Sequence, residues 1–155
     1  MDTRKTTPNF RAMEKWAVRI GGGLNHRFSL SDMVMLKDNH IDAAGGISAA
    51  VTSMRHYLNN KGLKLQIEVE TRNLAEVREA LEADVDVIML DNMSTEMMRA
   101  AVQLIAGKTK VEASGGITER NLREIAETGV DFISLGLLTH SVRSLDLSLK
   151  LVRTT

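Results

Sequence analysis

Three short blocks near the start of the chain, Asp2-Thr3-Arg4-Lys5-Thr6-Thr7-Pro8, Asn25-His26-Arg27 and Lys37-Asp38-Asn39-His40, gather cationic side chains in loops that flank predicted strands. Basic groups placed this way can converge on one pocket and grip a poly-anion. Arg does so through a planar fork that binds carboxylate or phosphate bidentately, Lys as a compact point charge. Seven of the 20 Lys and Arg fall in the first 40 residues against four Asp and Glu, while the whole chain is formally +0. The positive charge is local, which points to a small anionic ligand and away from nucleic acid, whose backbone demands a broad basic face.

Ser114-Gly115-Gly116-Ile117-Thr118 lies between a predicted strand and a predicted helix. Glycines there let backbone N–H groups approach a phosphate, and a helix N-terminus favours its charge. Gly136, one unit later, offers the second half of such a cradle. The bland alternative is two ordinary tight turns with a cap at Thr118; recurrence in successive units favours phosphate. Glu70 and Asp91 close consecutive strands. Carboxylates at a cationic mouth can hold Mg²⁺ on a phosphate substrate, bind ribose hydroxyls or stabilise an oxocarbenium ion, or else simply pair with nearby Lys and Arg. Glu68 shares the side of its strand with Glu70 by the two-residue period. His26 is open to three roles, neutral donor, general acid or cap, and His40 is similar. Arg72, Glu76, Arg78, Glu79 and Glu82 form a mixed-sign helix face and read as solvated surface.

The elements that must position these groups follow from periodicity. Ala12, Met13, Trp16, Ala17 and Ile20 recur at helical spacing over Phe10–Ile20, ended by Gly21-Gly22-Gly23. Strand-like runs then occur at Met33–Lys37, Leu65–Glu70, Val87–Leu90, Lys110–Ala113 and Phe132–Leu135. Helical stretches separate them at Ile47–Leu58, Leu74–Ala83, Thr95–Ile105 and Glu119–Thr128. Strand and helix in alternation imply parallel pairing with right-handed crossovers, hence an α/β sheet or barrel. In barrels the working face lies at the carboxyl ends of the strands, where the polar and glycine residues cluster. Five strands do not close an eight-stranded barrel, so the expectation is an open, TIM-like parallel α/β barrel with its first strand missing, spanning residues 1–155.

Composition narrows the chemistry. The chain is 43% hydrophobic and 26% charged, and holds no apolar run near the ~18–20 residues that cross a bilayer. No membrane partner and a cytoplasmic location are expected. Zero Cys removes disulfides, thiolate metal sites and a Cys nucleophile together. The nine Met read as core filler.

Seven blocks in order, Asp-Thr-Arg-Lys-Thr-Thr-Pro, Gly-Gly-Gly-x-Asn-His-Arg, Lys-Asp-Asn-His-Ile, Glu-Val-Glu, Met-Leu-Asp-Asn, Glu-Ala-Ser-Gly-Gly-Ile and Gly-Val-Asp-Phe-Ile-Ser-Leu-Gly-x-Leu-Thr-His-Ser, resemble the quinolinate phosphoribosyltransferases. The resemblance covers essentially the whole chain. It implies transfer of phosphoribose from phosphoribosyl pyrophosphate to quinolinate, with loss of pyrophosphate and CO₂, in NAD biosynthesis. By similarity Arg4, His26 and Arg27 hold the quinolinate carboxylates, while Lys5 and Lys37 neutralise substrate anions. Glu70 and Asp91 act near the ribose and its Mg²⁺, and Ser114, Gly115 and Gly136 cradle the 5′-phosphate. It also implies an N-terminal α/β domain and a first barrel strand before Asp2, and a homodimer in which that domain covers the neighbour's barrel mouth and lends it an arginine. Asn9 stands where glycine is common. Two alternatives remain open here: a non-catalytic phosphate-binding barrel fragment that needs a complementing chain, and a transport-associated relative acting on another anion.

Overall fold

A computed structural model describes residues 1–153. Its central strand logic is visible in Ile67-Glu68-Val69-Glu70-Thr71, strand β2, which is buried along its whole length. Alternation sends Ile67 and Val69 outward under the helices and Glu68 and Glu70 inward to the barrel lumen. The apolar layer is therefore the outer one.

The chain runs through α1 (Arg11–Ile20), β1 (Val34–Leu36), α2 (Asp38–Ala44), α3 (Ile47–Lys61), β2 (Ile67–Thr71), α4 (Leu74–Glu82), β3 (Val87–Asp91), α5 (Thr95–Ile105), β4 (Lys110–Ser114), α6 (Leu122–Ala126), β5 (Phe132–Ile133) and α7 (Leu137–His140). Among the described residues the strands form one parallel sheet in sequence order, β1 to β5. Register places Glu70 beside Met89, Met89 beside Glu112 and Asp91 beside Ser114, so inward residues form tiers. The core lies between sheet and helices, with Ile47, Val77, Ala80, Ile88, Leu90, Ala101 and Ile105 wholly out of water. Full burial of each larger aliphatic there contributes about 1.5–3 kcal/mol. Asn73 and Ser94 cap α4 and α5 with side-chain oxygens, which fixes where the crossovers begin.

The interval between β5 and β1 is filled by two irregular extended segments. The Met1 amine donates to the Ile133 carbonyl and the Leu135 N–H donates to Met1 O at 3.0 Å, so residue 1 lies along the free edge of β5. Asp2 N–H then bonds Leu24 O at 3.1 Å, which brings the second segment alongside. The sheet is thus an open partial barrel whose gap is partly staved by short stretches of this chain. Asn9, at φ 66°, occupies the left-handed region that glycine and asparagine tolerate best.

Four features depart from the sequence reading. The apolar stripe of α1 faces outward: Met13, Trp16 and Ile20 are 61, 65 and 71% exposed, and the buried residue of the helix is Lys15. Lys37-Asp38-Asn39-His40 is not a loop but the N-cap and first turn of α2. There His40 Nδ1 accepts from the Lys37 N–H at 3.0 Å, so His40 is a cap. Helix α6 begins only at Leu122, which leaves the Ser114–Thr118 turn away from a helix N-terminus; the dipole contribution expected there is absent because Asn121 forms its own turn with Thr118. The short helix α7 was not anticipated, since four residues carry no readable period.

Candidate active site

At the carboxyl ends of the strands lies a cavity of about 800 Å³. The residues to which the resemblance gives a role line it, Arg4, Lys5, His26, Arg27 and Lys37 as a cationic wall, Glu70 and Asp91 as an acidic one, and Ser114, Gly115 and Gly136 at the turns, whereas Glu68 and His40 do not.

The cationic wall is built on the irregular staves. Asp2 is fully buried, and its carboxylate accepts from Lys15 Nζ at 2.7 Å, from Asn25 Nδ2 at 2.6 Å and from the His26 N–H at 2.8 Å. That hub fixes the turn carrying His26 and Arg27. Arg27 donates through Nη1 to Met33 O at 2.9 Å. Burial first, then the nearby positive charge of Arg4, lowers the Arg27 pKa. Arg4 Nε is itself buried without a partner. Two guanidinium groups held together with an unmet donor make a site that an anion completes. Lys37 Nζ reaches Glu70 Oε2 at 2.9 Å and ties the two walls together.

His26 lines the cavity and is at the same time bonded within the chain. Its Nδ1 accepts from the Arg27 N–H at 2.8 Å, and Nε2 faces Glu68 Oε2 at 3.0 Å and Glu112 Oε2 at 3.4 Å. Both ring nitrogens are engaged within the chain. Burial pulls the pKa of the ring down, but hydrogen bonding and charge from Glu112 and Glu68 outweigh it and lift it to about 9. The Arg27 bond is compatible only with the neutral ring, so protonation means giving that bond up. The spacing of His26, Glu68 and Glu112 is within reach of a metal ion. However, a metal at Nε2 requires the proton on Nδ1, where the Arg27 N–H already points.

The turns close the site. Gly115 and Gly116 sit at φ 89° and 61°, and a Cβ on Gly115 would lie 2.3 Å from Asn92 Oδ1. A Cβ on Gly136 would meet the His140 ring at 2.8 Å. Only glycine brings the main chain this close to its neighbours. The Ser134 hydroxyl, buried in the cavity wall, has no hydrogen-bond partner.

Several contributing residues escaped the sequence reading. Glu112 was readable as the inward neighbour of Ser114 by the same two-residue step that marked Glu68. Asn92 carried a signal in following Asp91 at a strand end. Asp2 and Lys15 had none, because a lysine among helix surface charges gives no sign of burial.

These features define an open α/β barrel domain with a cationic wall at its mouth. The chain belongs to the family described as quinolinate phosphoribosyl transferase, C-terminal domain, which is matched over residues 1–150. It is 51% identical over 166 residues to the chloroplastic nicotinate-nucleotide pyrophosphorylase (carboxylating) of Arabidopsis thaliana, an alignment that covers 97% of this chain and 48% of that protein. A crystal structure of NadC from Streptococcus pyogenes superposes with a TM-score of 0.90 at 50% identity, covering 96% of this chain and 51% of the other. The nicotinate-nucleotide pyrophosphorylase from Francisella tularensis does so at 0.89 and 47%, covering 95% and 51%. The chain spans about half the length of the curated relatives it matches. No helix among the described residues is long and apolar enough to cross a membrane.

Proposed function

We propose that this chain carries the site at which a decarboxylating quinolinate phosphoribosyltransferase joins quinolinate to phosphoribosyl pyrophosphate. The observation that supports this most is the convergence of a cationic wall, two carboxylates and two glycine turns on one cavity. The pyridine nitrogen donates its lone pair to C1′ of the ribose as the C1′–O bond breaks and pyrophosphate leaves with that electron pair. The C2–carboxylate bond then breaks, CO₂ departs, and the pair left on C2 takes up a proton to give nicotinate mononucleotide.

In this reading Arg4, His26 and Arg27 hold the quinolinate carboxylates, and Lys5 and Lys37 offset substrate charge. Ser114, Gly115 and Gly136 receive the 5′-phosphate. Glu70 and Asp91 face the ribose, where negative charge helps the oxocarbenium-like transition state more than the ground state. Their hard oxygen donors suit Mg²⁺, which needs only one or two carboxylates beside substrate oxygens and water. When bound, it neutralises charge on the departing pyrophosphate.

Partners follow from the same reading: quinolinate, phosphoribosyl pyrophosphate and a second subunit in a homodimer, with no nucleic acid or membrane. The other half of the relatives' length is assigned to an N-terminal domain that covers the neighbouring mouth. The proposed compartment is the cytoplasm, checked by fractionating cells that express the full-length protein. The test of the activity is formation of nicotinate mononucleotide by full-length protein given both substrates and Mg²⁺. Binding of phosphoribosyl pyrophosphate without turnover, or turnover of a different anion only, overturns the assignment.

A further inference from the structure

Asp91 ends β3 and Gly115 follows β4, and one side chain that neither motif made prominent touches both. Asn92 holds a left-handed backbone, φ 52°, at the end of β3. Its N–H donates to Ser114 O at 2.9 Å, extending the β3–β4 ladder by one bond. Its Nδ2 donates to Asp91 Oδ2 at 2.7 Å. The rest of the amide lies flat against Gly115, where a Cβ would sit 2.3 Å from Oδ1, 2.4 Å from Cγ and 2.7 Å from Nδ2. Both contacts open onto the cavity.

We propose that Asn92 is a positioning residue that couples the Asp91 carboxylate to the Gly115 phosphate turn, so that the ribose-facing acid and the phosphate grip are set as one unit. The proposal rests on the phosphoribosyl reading above. Three physical requirements meet at this position. The backbone needs a residue that tolerates the left-handed region, which Asn does better than other non-glycine residues. The carboxylate needs a short donor that fixes its rotamer through one of its two oxygens. The turn needs a flat group, since a tetrahedral side chain in place of the planar amide would press on Gly115 Cα. Asp cannot supply the donor, and Gly supplies only the backbone.

The test is Asn92→Gly in the full-length protein. It keeps the left-handed conformation available and removes only the amide. The Kd for phosphoribosyl pyrophosphate, by calorimetry with Mg²⁺ present, should rise at least about fivefold, with a matching rise in its KM. The KM for quinolinate and the thermal midpoint should stay near the parent's. A purely structural residue would move both substrates and the midpoint together. A Kd for phosphoribosyl pyrophosphate within twofold of the parent, or a loss shared equally with quinolinate, overturns the proposal.

A double-mutant cycle keeps the coupling open to test if the single variant folds poorly. Gly115→Ala drives a methyl into the Asn92 amide, so its penalty on phosphoribosyl pyrophosphate binding should shrink severalfold when Asn92→Gly has emptied that space. Additive penalties overturn the coupling. If parent protein binds no phosphoribosyl pyrophosphate at all, the functional reading has failed and the coupling fails with it; binding by the parent with additive penalties rejects the coupling alone.

Discussion

Lys15 Nζ and Asp2 Oδ1 lie 2.7 Å apart with both side chains almost wholly out of water, and the pair anchors the turn on which His26 and Arg27 stand. Removing one partner of such a pair leaves a buried charge without compensation, which costs about 3–5 kcal/mol. Lys15→Met should therefore lower the urea midpoint sharply even though methionine fills nearly the same volume. Equal midpoints for parent and variant would show that the pair contributes nothing to stability.

Arg27→Ala removes a partly buried charged donor from the cationic wall. In the full-length protein it should weaken quinolinate binding by at least ~2 kcal/mol, the range for a lost charge-assisted hydrogen bond. Calorimetry decides; unchanged affinity places the dicarboxylate elsewhere.

Gly115→Val adds strain at φ 89° and a clash with the Asn92 amide. Affinity for phosphoribosyl pyrophosphate should fall by tenfold or more, about 1.4 kcal/mol, while quinolinate binding measured alone is kept. Retained binding of phosphoribosyl pyrophosphate would require another phosphate site.

The pKa of His26 is about 9 in the folded chain against a model-peptide value of 6.5. A raised folded value means that the folded state binds the proton more tightly, so this contribution to stability is complete below about pH 6.5 and fades as pH climbs through 9. Unfolding free energy should decline across that window. Glu112→Gln should bring the His26 titration, followed by NMR, to lower pH. A ring that titrates at the same pH in both proteins would remove Glu112 from the explanation.

Met13, Trp16 and Ile20 expose a contiguous apolar face on α1. Residues 1–155 alone are expected to self-associate and to show little or no phosphoribosyl transfer. Trp16→Gln with Met13→Lys should reduce the association. Size-exclusion chromatography with light scattering measures it, and a stable, fully active monomer of the unmodified chain would contradict the expectation.

The order of strands and crossovers was legible because each carries its own period. The β3 and α5 bounds fell within a residue of expectation, since Val87–Leu90 and Thr95–Ile105 are fully committed to one face pattern. The carboxylate and glycine part of the cavity lining was legible because Glu70, Asp91 and Ser114 lie at strand ends, where polar groups have no packing reason to be. What did not show was anything decided by partners distant in sequence. Lys15 is buried because Asp2 waits for it across 13 positions. His26 turns its nitrogens inward because Glu68 and Glu112 lie on strands far down the chain. The outward face of α1 defeats the usual inference because periodicity reports an amphipathic helix but not which side meets protein.

The two irregular staves between β5 and β1 divide the cavity wall into halves held by different kinds of bond. Glu70, Asp91 and Ser114 sit on strands laddered on both edges, so moving any of them breaks several main-chain bonds at once. Arg4 and Arg27 stand on segments held by a few scattered bonds and one buried ion pair. The two cavity halves therefore differ in what sets their shape: main-chain ladders on the carboxylate and glycine side, and side-chain bonds through the buried Asp2 hub on the arginine side. Changes of ligand preference are then easiest to reach by altering the staves, since the barrel strands would be left undisturbed.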